Sequence, residues 1–384
     1  MLALVNGKIH TITGDVIDKG TILIEDGLIT HIGKNLNIPD DASTIECNGK
    51  NIFPGFIEAH CHLAMIREGV GPVGNNGNEK TDPVTSDLHA FDSIDINDSS
   101  IRKSLFEGGV TMANISPGSA NVVGGQTDII SVRPARTPEE ILIKPAVAMK
   151  MAFGENPFRV YGSQNKSPAT RMAVAAKLRE TLTQTQDYIE AKKDASKAGK
   201  PWKRDLKMEA NSKLLNKELR AHCHAHESFD ILAAIRIANE FDYNLTIIHG
   251  TESTRVIPEI KKNNISIILG PQSGHNGKLE NSGRSLDSAG ILEKEGVNFC
   301  ISTDHPVIPL RDMRVEAAKM VNTGLSPKLA IEAMTIIPAR ILGVDDIAGS
   351  IEEGKRADLI VWDGHPLDIA YGRVEVAIVD GKIR

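Results

Sequence analysis

The chain has 384 residues, 41% hydrophobic and 24% charged, with a formal net charge of −6; that is ordinary for a folded enzyme and excludes a broad basic face for nucleic acid. No apolar run reaches the ~18 residues a membrane-spanning helix needs, and the first residues lack the basic-then-apolar pattern of a signal peptide. Cys47, Cys61, Cys223 and Cys300 show no CxxC spacing, so a reduced, cytoplasmic protein is expected rather than a disulfide framework.

Residues 1–51 predict short strands with tight turns. Residues 3–5, 8–13, 21–25 and 28–32 are rich in β-branched side chains, and Asn6-Gly7 and Asp26-Gly27 are hairpin signals. Residues 358–362 and 374–379 read the same way, with Asp380-Gly381 as another turn. Chain ends often lie close together, so residues 1–52 and 345–384 are expected to pair into one small β-sandwich. Between them, residues 53–344 alternate strand and helix patterns. Strands are expected to end at His62, near Ile115, Val132 and Phe153, at His224 and His249, near Leu269 and at Asp304. Helical patterns cover residues 100–107, 170–195, 229–240, 253–262 and 285–295, with more helix over 311–343. Eight strands with intervening helices predict an α/β fold, a (β/α)8 TIM-type barrel whose chemistry sits at the strand C-terminal ends. The charged stretch 190–218 reads as a solvated helix pair. The polar, Gly-rich stretch 69–82 follows the first barrel strand and is placed over the active mouth, as a substrate-contacting or a plain loop.

Several strand ends carry side chains that an apolar barrel does not need. Pro54-Gly55 is a turn signal, and the strand after it ends in His60-Cys61-His62. Alternation puts both histidines on one face, a ready pair of metal ligands. His222, His224 and His226 also share a face; His224 is expected level with a metal, His222 a layer deeper, and His226 higher, within reach of substrate. His249 ends another apolar strand before a glycine. Asp304 ends the last one, where a buried acid calls for a cation or a donor. Such an acid binds a metal and also accepts a proton from water. Lys150 lies in an apolar strand. Nearby cations would lower its pKa, and the neutral amine could add carbon dioxide to form a carbamate that bridges two metals. A lysine paired with an acid is the plain alternative, and Glu155, at the end of the same strand, competes for the ligand role.

Together these segments resemble the amidohydrolase superfamily, in its imidazolonepropionase-like and prolidase-like branch. The resemblance spans nearly the whole chain, from Val5-Asn-Gly-Lys-Ile9 and Pro54-Gly-Phe-Ile-Glu-Ala-His-Cys-His62, through His224-Ala-His226, His249-Gly-Thr251 and Ser302-Thr-Asp304, to Gly349-Ser-Ile-Glu-Glu-Gly-Lys-Arg-Ala-Asp-Leu-Ile-Val361. It implies a composite sandwich plus a barrel, and one or two divalent ions, zinc foremost, held by His60, His62, His224, His249 and Asp304. Lys150 matches the carboxylated, bridging lysine of binuclear members. The run Gly154-Glu155-Asn156-Pro157 departs from the branch's usual Thr-Gly-Gly turn, which leaves a Glu155 ligand or a mononuclear site open. Arg171 reads as a substrate-carboxylate group or as a helix-surface residue. The implied activity is hydrolysis of a C–N bond in a small amide, cyclic amide or dipeptide-like substrate by a metal-activated hydroxide. Asp304 would move the proton, and His249 or His226 would steady the oxyanion. A mononuclear deaminase and a non-enzymatic scaffold are the rival readings. No membrane or nucleic-acid partner is expected, and a homo-oligomer is left open.

Overall fold

Strands buried on both faces can read as short, unbroken apolar runs, as residues 299–301 do here. A computed structural model describes residues 1–68, 70–274 and 277–384. It arranges Phe56–Cys61, Val110–Ile115, Val123–Ser131, Leu142–Ala152, Arg220–Ala225, Leu245–His249, Ser266–Leu269 and Phe299–Ile301 in one barrel-like sheet, each strand beside its neighbour in sequence. The barrel is nearly closed. First and last strands meet through Ser302 Oγ donating to the His60 carbonyl at 2.9 Å, Thr303 N donating to Glu58 Oε2 at 2.9 Å and His62 N donating to the His305 carbonyl at 2.8 Å.

The expectation of a (β/α)8 barrel, eight strands with intervening helices, holds only in part. Val123–Ser131 runs antiparallel to both of its neighbours, whereas the other pairings around the sheet are parallel. Only residues 116–122 join it to the strand before. A parallel crossover takes about a dozen residues or more, so this link folds back as a hairpin. The expected helices form elsewhere, as Ser99–Phe106, Arg171–Lys197, Ser228–Phe241, Ile257–Lys262, Ser288–Lys294 and, after the last strand, Met313–Asn322, Pro327–Glu332 and Ile336–Leu342. Asp98 and Thr170 cap the first two by accepting from Ser100 N and Ala173 N. The charged stretch is a helix pair, Arg171–Lys197 with Leu206–Leu215; Val174, Leu178 and Leu182, four residues apart, are the buried stripe of the first. No helix among the described residues is long and apolar enough to cross a membrane.

The two chain ends share a second eight-stranded sheet. Its order is Lys382–Ile383, Arg373–Val379, Leu359–Asp363, Asn51–Pro54, Leu2–His10, Val16–Glu25 and Leu28–Gly33, with Ser43–Glu46 as a further partner of Leu2–His10. Alternation serves two cores at once. Ile52, Leu359, Val361 and Ile378 enter an apolar core of the terminal sheet with Leu4, Ile9, Ile22 and Ile24. Their strand neighbours Phe53, Ile360, Trp362, Ala377 and Val379 enter the barrel's core. The sheet thus plugs the barrel end where the first strands start, and leaves the opposite end open.

Candidate metal centre

At that open end, strand alternation and strand ends bring two groups of donors together. In the first, Asp304 Oδ1 lies 3.3 Å from His60 Nε2 and 3.4 Å from His62 Nε2. In the second, the His224, His226 and His249 rings pack with centroids 4.4 to 4.7 Å apart. Within each group one donor atom per residue lies within 4.8 Å of the others, close enough to hold a metal ion. The groups adjoin, with the His60 and His249 rings 5.8 Å apart. Lys150, fully buried, places Nζ 3.4 Å from His60 Nε2. His222, in register with Lys150 and buried, sits a layer deeper as the alternation predicted.

Hydrogen bonds fix which nitrogens face inward. His62 Nδ1 lies 2.7 Å from the Ser116 carbonyl and His249 Nδ1 lies 2.7 Å from the Gly270 carbonyl. A carbonyl only accepts, so each Nδ1 carries a proton, and the neutral ring then keeps its lone pair on Nε2, as in metal-binding histidines. Burial holds the His60, His226 and His249 imidazoles well below their ordinary pKa, and so neutral. Burial opposes ionisation of Asp304, but His249, His60 and His62 outweigh it and hold the carboxyl well below the usual range. Asp304 Oδ1 accepts no hydrogen bond although buried. An ionised oxygen facing an imidazole lone pair is a fit for a cation and for little else. His249 and Asp304 also take left-handed backbone angles, φ 74° and 50°, at a cost of ~1 kcal/mol or more each. Burial lowers the Lys150 pKa to about 8.

A cavity of 880 Å³ opens over both groups. His62, His224, His226 and Asp304 line it, with Asn75, Asn78 and Lys80 from the loop of residues 70–82; Gly69 lies outside the described residues. Arg159, Lys278 and Arg284 add positive charge, and Asp304 is the only acid among the described lining residues. Two expected site residues, Glu155 as a competing ligand and Arg171 as a substrate group, are elsewhere. The Glu155 carboxylate lies 3.9 Å from Arg159 Nη1. Arg171 pairs with Glu227 and, at 3.1 Å, with Asp230, and its guanidinium lies over the Phe158 and Phe229 rings. Neither lines the cavity; the buried Asp230 and the part-buried Glu227, at the start of the Ser228–Phe241 helix, hold the arginine. The His305 ring, next to Asp304, accepts from Leu310 N at 3.1 Å. One buried group escaped the sequence reading. Glu280, on the polar loop after the Ser266–Leu269 strand, places Oε1 3.3 Å from His224 Nε2. No periodicity or strand end marks it.

Residues 51–384 match the family model described as the Amidohydrolase family. Amidohydrolase tasK of Hapsidospora irregularis is 29% identical over 392 residues, which cover 94% of this chain and 39% of that relative; the chain thus spans about two fifths of its length. Imidazolonepropionase of Staphylococcus aureus is 21% identical over 403 residues, 96% of this chain and 90% of that one. Among solved structures, an amidohydrolase from Thermotoga maritima MSB8 superposes with a TM-score of 0.97 at 41% identity, covering 100% of this chain and 99% of that one.

Proposed function

The chain belongs to the amidohydrolase family, and from that premise we propose that it is a metal-dependent hydrolase that cleaves a C–N bond in a small amide, cyclic amide or dipeptide-like substrate. The observation that carries this reading is the pair of adjoining donor groups, with the His62 and His249 lone pairs turned inward by backbone carbonyls, beneath one cavity. In this reading His60, His62, His224, His249 and Asp304 are ligands, with Lys150 between them as the precursor of a bridging carbamate. Its lowered pKa of about 8 favours the neutral amine that carbamate formation requires. Imidazole and carboxylate donors suit zinc. We read the terminal sheet, residues 1–52 and 345–384, as a sandwich-like support for a catalytic barrel of residues 53–344. Four buried, unpaired cysteines fit a cytoplasmic setting.

A divalent cation held there would supply Lewis acidity to polarise the scissile carbonyl and acidify water. The protein does the rest. The Asp304 carboxylate, ionised and free of donors on Oδ1, takes the water's proton and returns it to the leaving nitrogen. His226 lines the cavity with Nδ1 2.7 Å from Thr251 Oγ1, which steadies the ring. Lys80, Arg159 and Lys278 favour a substrate with a free carboxylate, such as an N-acyl amino acid or a dipeptide, over the neutral amidine ring of a deaminase. The test is a screen of N-acyl amino acids, dipeptides and cyclic ureides with zinc-loaded protein. Turnover should vanish with a chelator and return with metal. Turnover indifferent to chelation, or none with any of these classes, overturns the reading.

A further inference from the structure

Glu280 has its side chain fully buried beside the second donor group, on a loop that supplies no predicted ligand. Its Oε1 lies 3.3 Å from His224 Nε2, 3.9 Å from His226 Nε2 and 3.5 Å from Lys278 Nζ; its Oε2 accepts from Glu155 N at 3.2 Å. Room for it depends on Gly154, at φ +84°, where a Cβ would come within 2.7 Å of Oε2.

Accounting for protons shows what kind of contact Glu280 makes. Lys278 Nζ donates to Asn156 Oδ1 at 2.8 Å. A lysine only donates, so the amide oxygen faces it and the amide nitrogen faces the other way. That nitrogen lies 3.2 Å from His224 Nε2. An amide nitrogen also only donates, so His224 Nε2 is an acceptor, and the ring's proton sits on Nδ1, 2.9 Å from Ser119 Oγ. The Asn156 amide therefore marks where the His224 lone pair points. Glu280 Oε1 brings more lone pairs to the same spot. A buried imidazole acceptor and a carboxylate repel each other unless a cation stands between them.

We infer that Glu280 is a further metal ligand, the carboxylate donor of a cation held with His224, His226 and His249. The assignment rests on the hydrolase reading and extends it. Each donor group then contains one carboxylate, Asp304 in the first and Glu280 in the second, so a divalent ion in either finds a counter-charge. Lys278 offsets Glu280 when no cation is present.

Metal content separates this from a plain hydrogen-bonded network. The chain is stripped and reloaded at a free Zn²⁺ concentration that gives the wild type two ions per chain, and ions are counted by atomic emission on folded protein checked by circular dichroism. Glu280→Gln, which keeps the side chain's shape and an acceptor for Glu155 N, should hold one ion. Lys278→Met, which removes the carboxylate's other partner, should hold two. Glu280→Asp, with the charge kept at shorter reach, should bind the second ion about tenfold more weakly and covers the case in which Glu280→Gln fails to fold. Two ions in Glu280→Gln, undiminished affinity in Glu280→Asp, or a wild type whose ion content Glu280→Gln does not change overturns the assignment. A wild type that takes up no ion instead overturns the hydrolase reading beneath it.

Discussion

In the terminal sheet, the side chains turned to its own core are Leu4, Ile9, Ile22, Ile24, Ile52, Leu359, Val361 and Ile378. In the barrel sheet, strands buried just as completely carry His60, Lys150, His222, His224 and His249. Backbone pairing is satisfied equally well in both, so the ladder does not decide which side chains a sheet encloses. The difference lies in cost. Apolar burial contributes about 25 cal/mol per Å², whereas a buried polar group costs free energy unless it finds a partner. The barrel contains an ionised carboxylate without a donor on Oδ1, neutral imidazoles and a lysine. Such a centre needs apolar packing around it, and the terminal sheet adds some of this at the barrel's far end. Function and stability should therefore separate along the barrel axis.

Two substitutions test that separation hardest. Asp304→Asn keeps the shape and removes the proton acceptor. In the metal-loaded protein, kcat/KM should fall by about 10² to 10⁴, while the melting temperature of the metal-free protein shifts by no more than a few degrees, because the burial cost of the charge and its attraction to the surrounding histidines disappear together. A fall in both would tie stability to the site itself. Trp362→Ala acts at the other end. Trp362 is fully buried, with its ring 5.7 Å from Phe56 and close against Gly109, at the starts of the first two barrel strands. Its loss should cost about 3–5 kcal/mol in urea unfolding, with kcat/KM of the folded protein changed by no more than about twofold. A collapse of kcat/KM at full metal occupancy would show that the two ends are coupled.

The sequence reveals the parts of this comparison that follow from a local rule. Alternation gives the shared face of His60 and His62 and the depth of His222, since a strand's side-chain period is fixed by its backbone. The alternation of strand and helix patterns over residues 53–344 gives the eight barrel strands. What it hides depends on distant chain. The reversed direction of Val123–Ser131 follows from a link too short for a crossover, which an apolar run does not disclose. Arg171 reads as a candidate for substrate until Glu227 and Asp230 are seen to hold it. Glu280 lies on a loop with no period, and its neighbours come from residues 155–156, 224–226 and 278. Only the folded chain brings those together.

Lys150 sharpens the contrast through pH. Burial lowers its pKa from 10.5 to about 8. Between those values the unfolded metal-free chain binds more protons than the folded one, so this group makes stability rise with pH across the window, and its destabilising effect is complete below about pH 8. Lys150→Met removes the effect. The variant should be more stable than wild type at pH 7, by a few kcal/mol, and the gap should narrow toward pH 10. Subtracting one protein from the other cancels the cysteines, which titrate in both. A constant gap would mean that Lys150 keeps its proton in the folded chain across this window, its charge already matched by its surroundings.

The smallest effect concerns Arg171. Burial pushes the Asp230 carboxyl up to about 6 against the pull of Arg171. With Arg171→Ala, Asp230 and Glu227 face each other without a cation. The arginine is partly exposed, so the loss of stability should be only about 1 kcal/mol at pH 8. It should shrink below pH 6, where Asp230 takes up a proton and the uncompensated charge disappears. KM for a carboxylate-bearing substrate should stay within about twofold, because Arg171 does not line the cavity. Arg159→Ala, which removes a lining charge, should raise it more. A larger KM increase for Arg171→Ala than for Arg159→Ala, at unchanged stability, would return Arg171 to the substrate side and shift the border between the two regions outward to the Arg171–Lys197 helix.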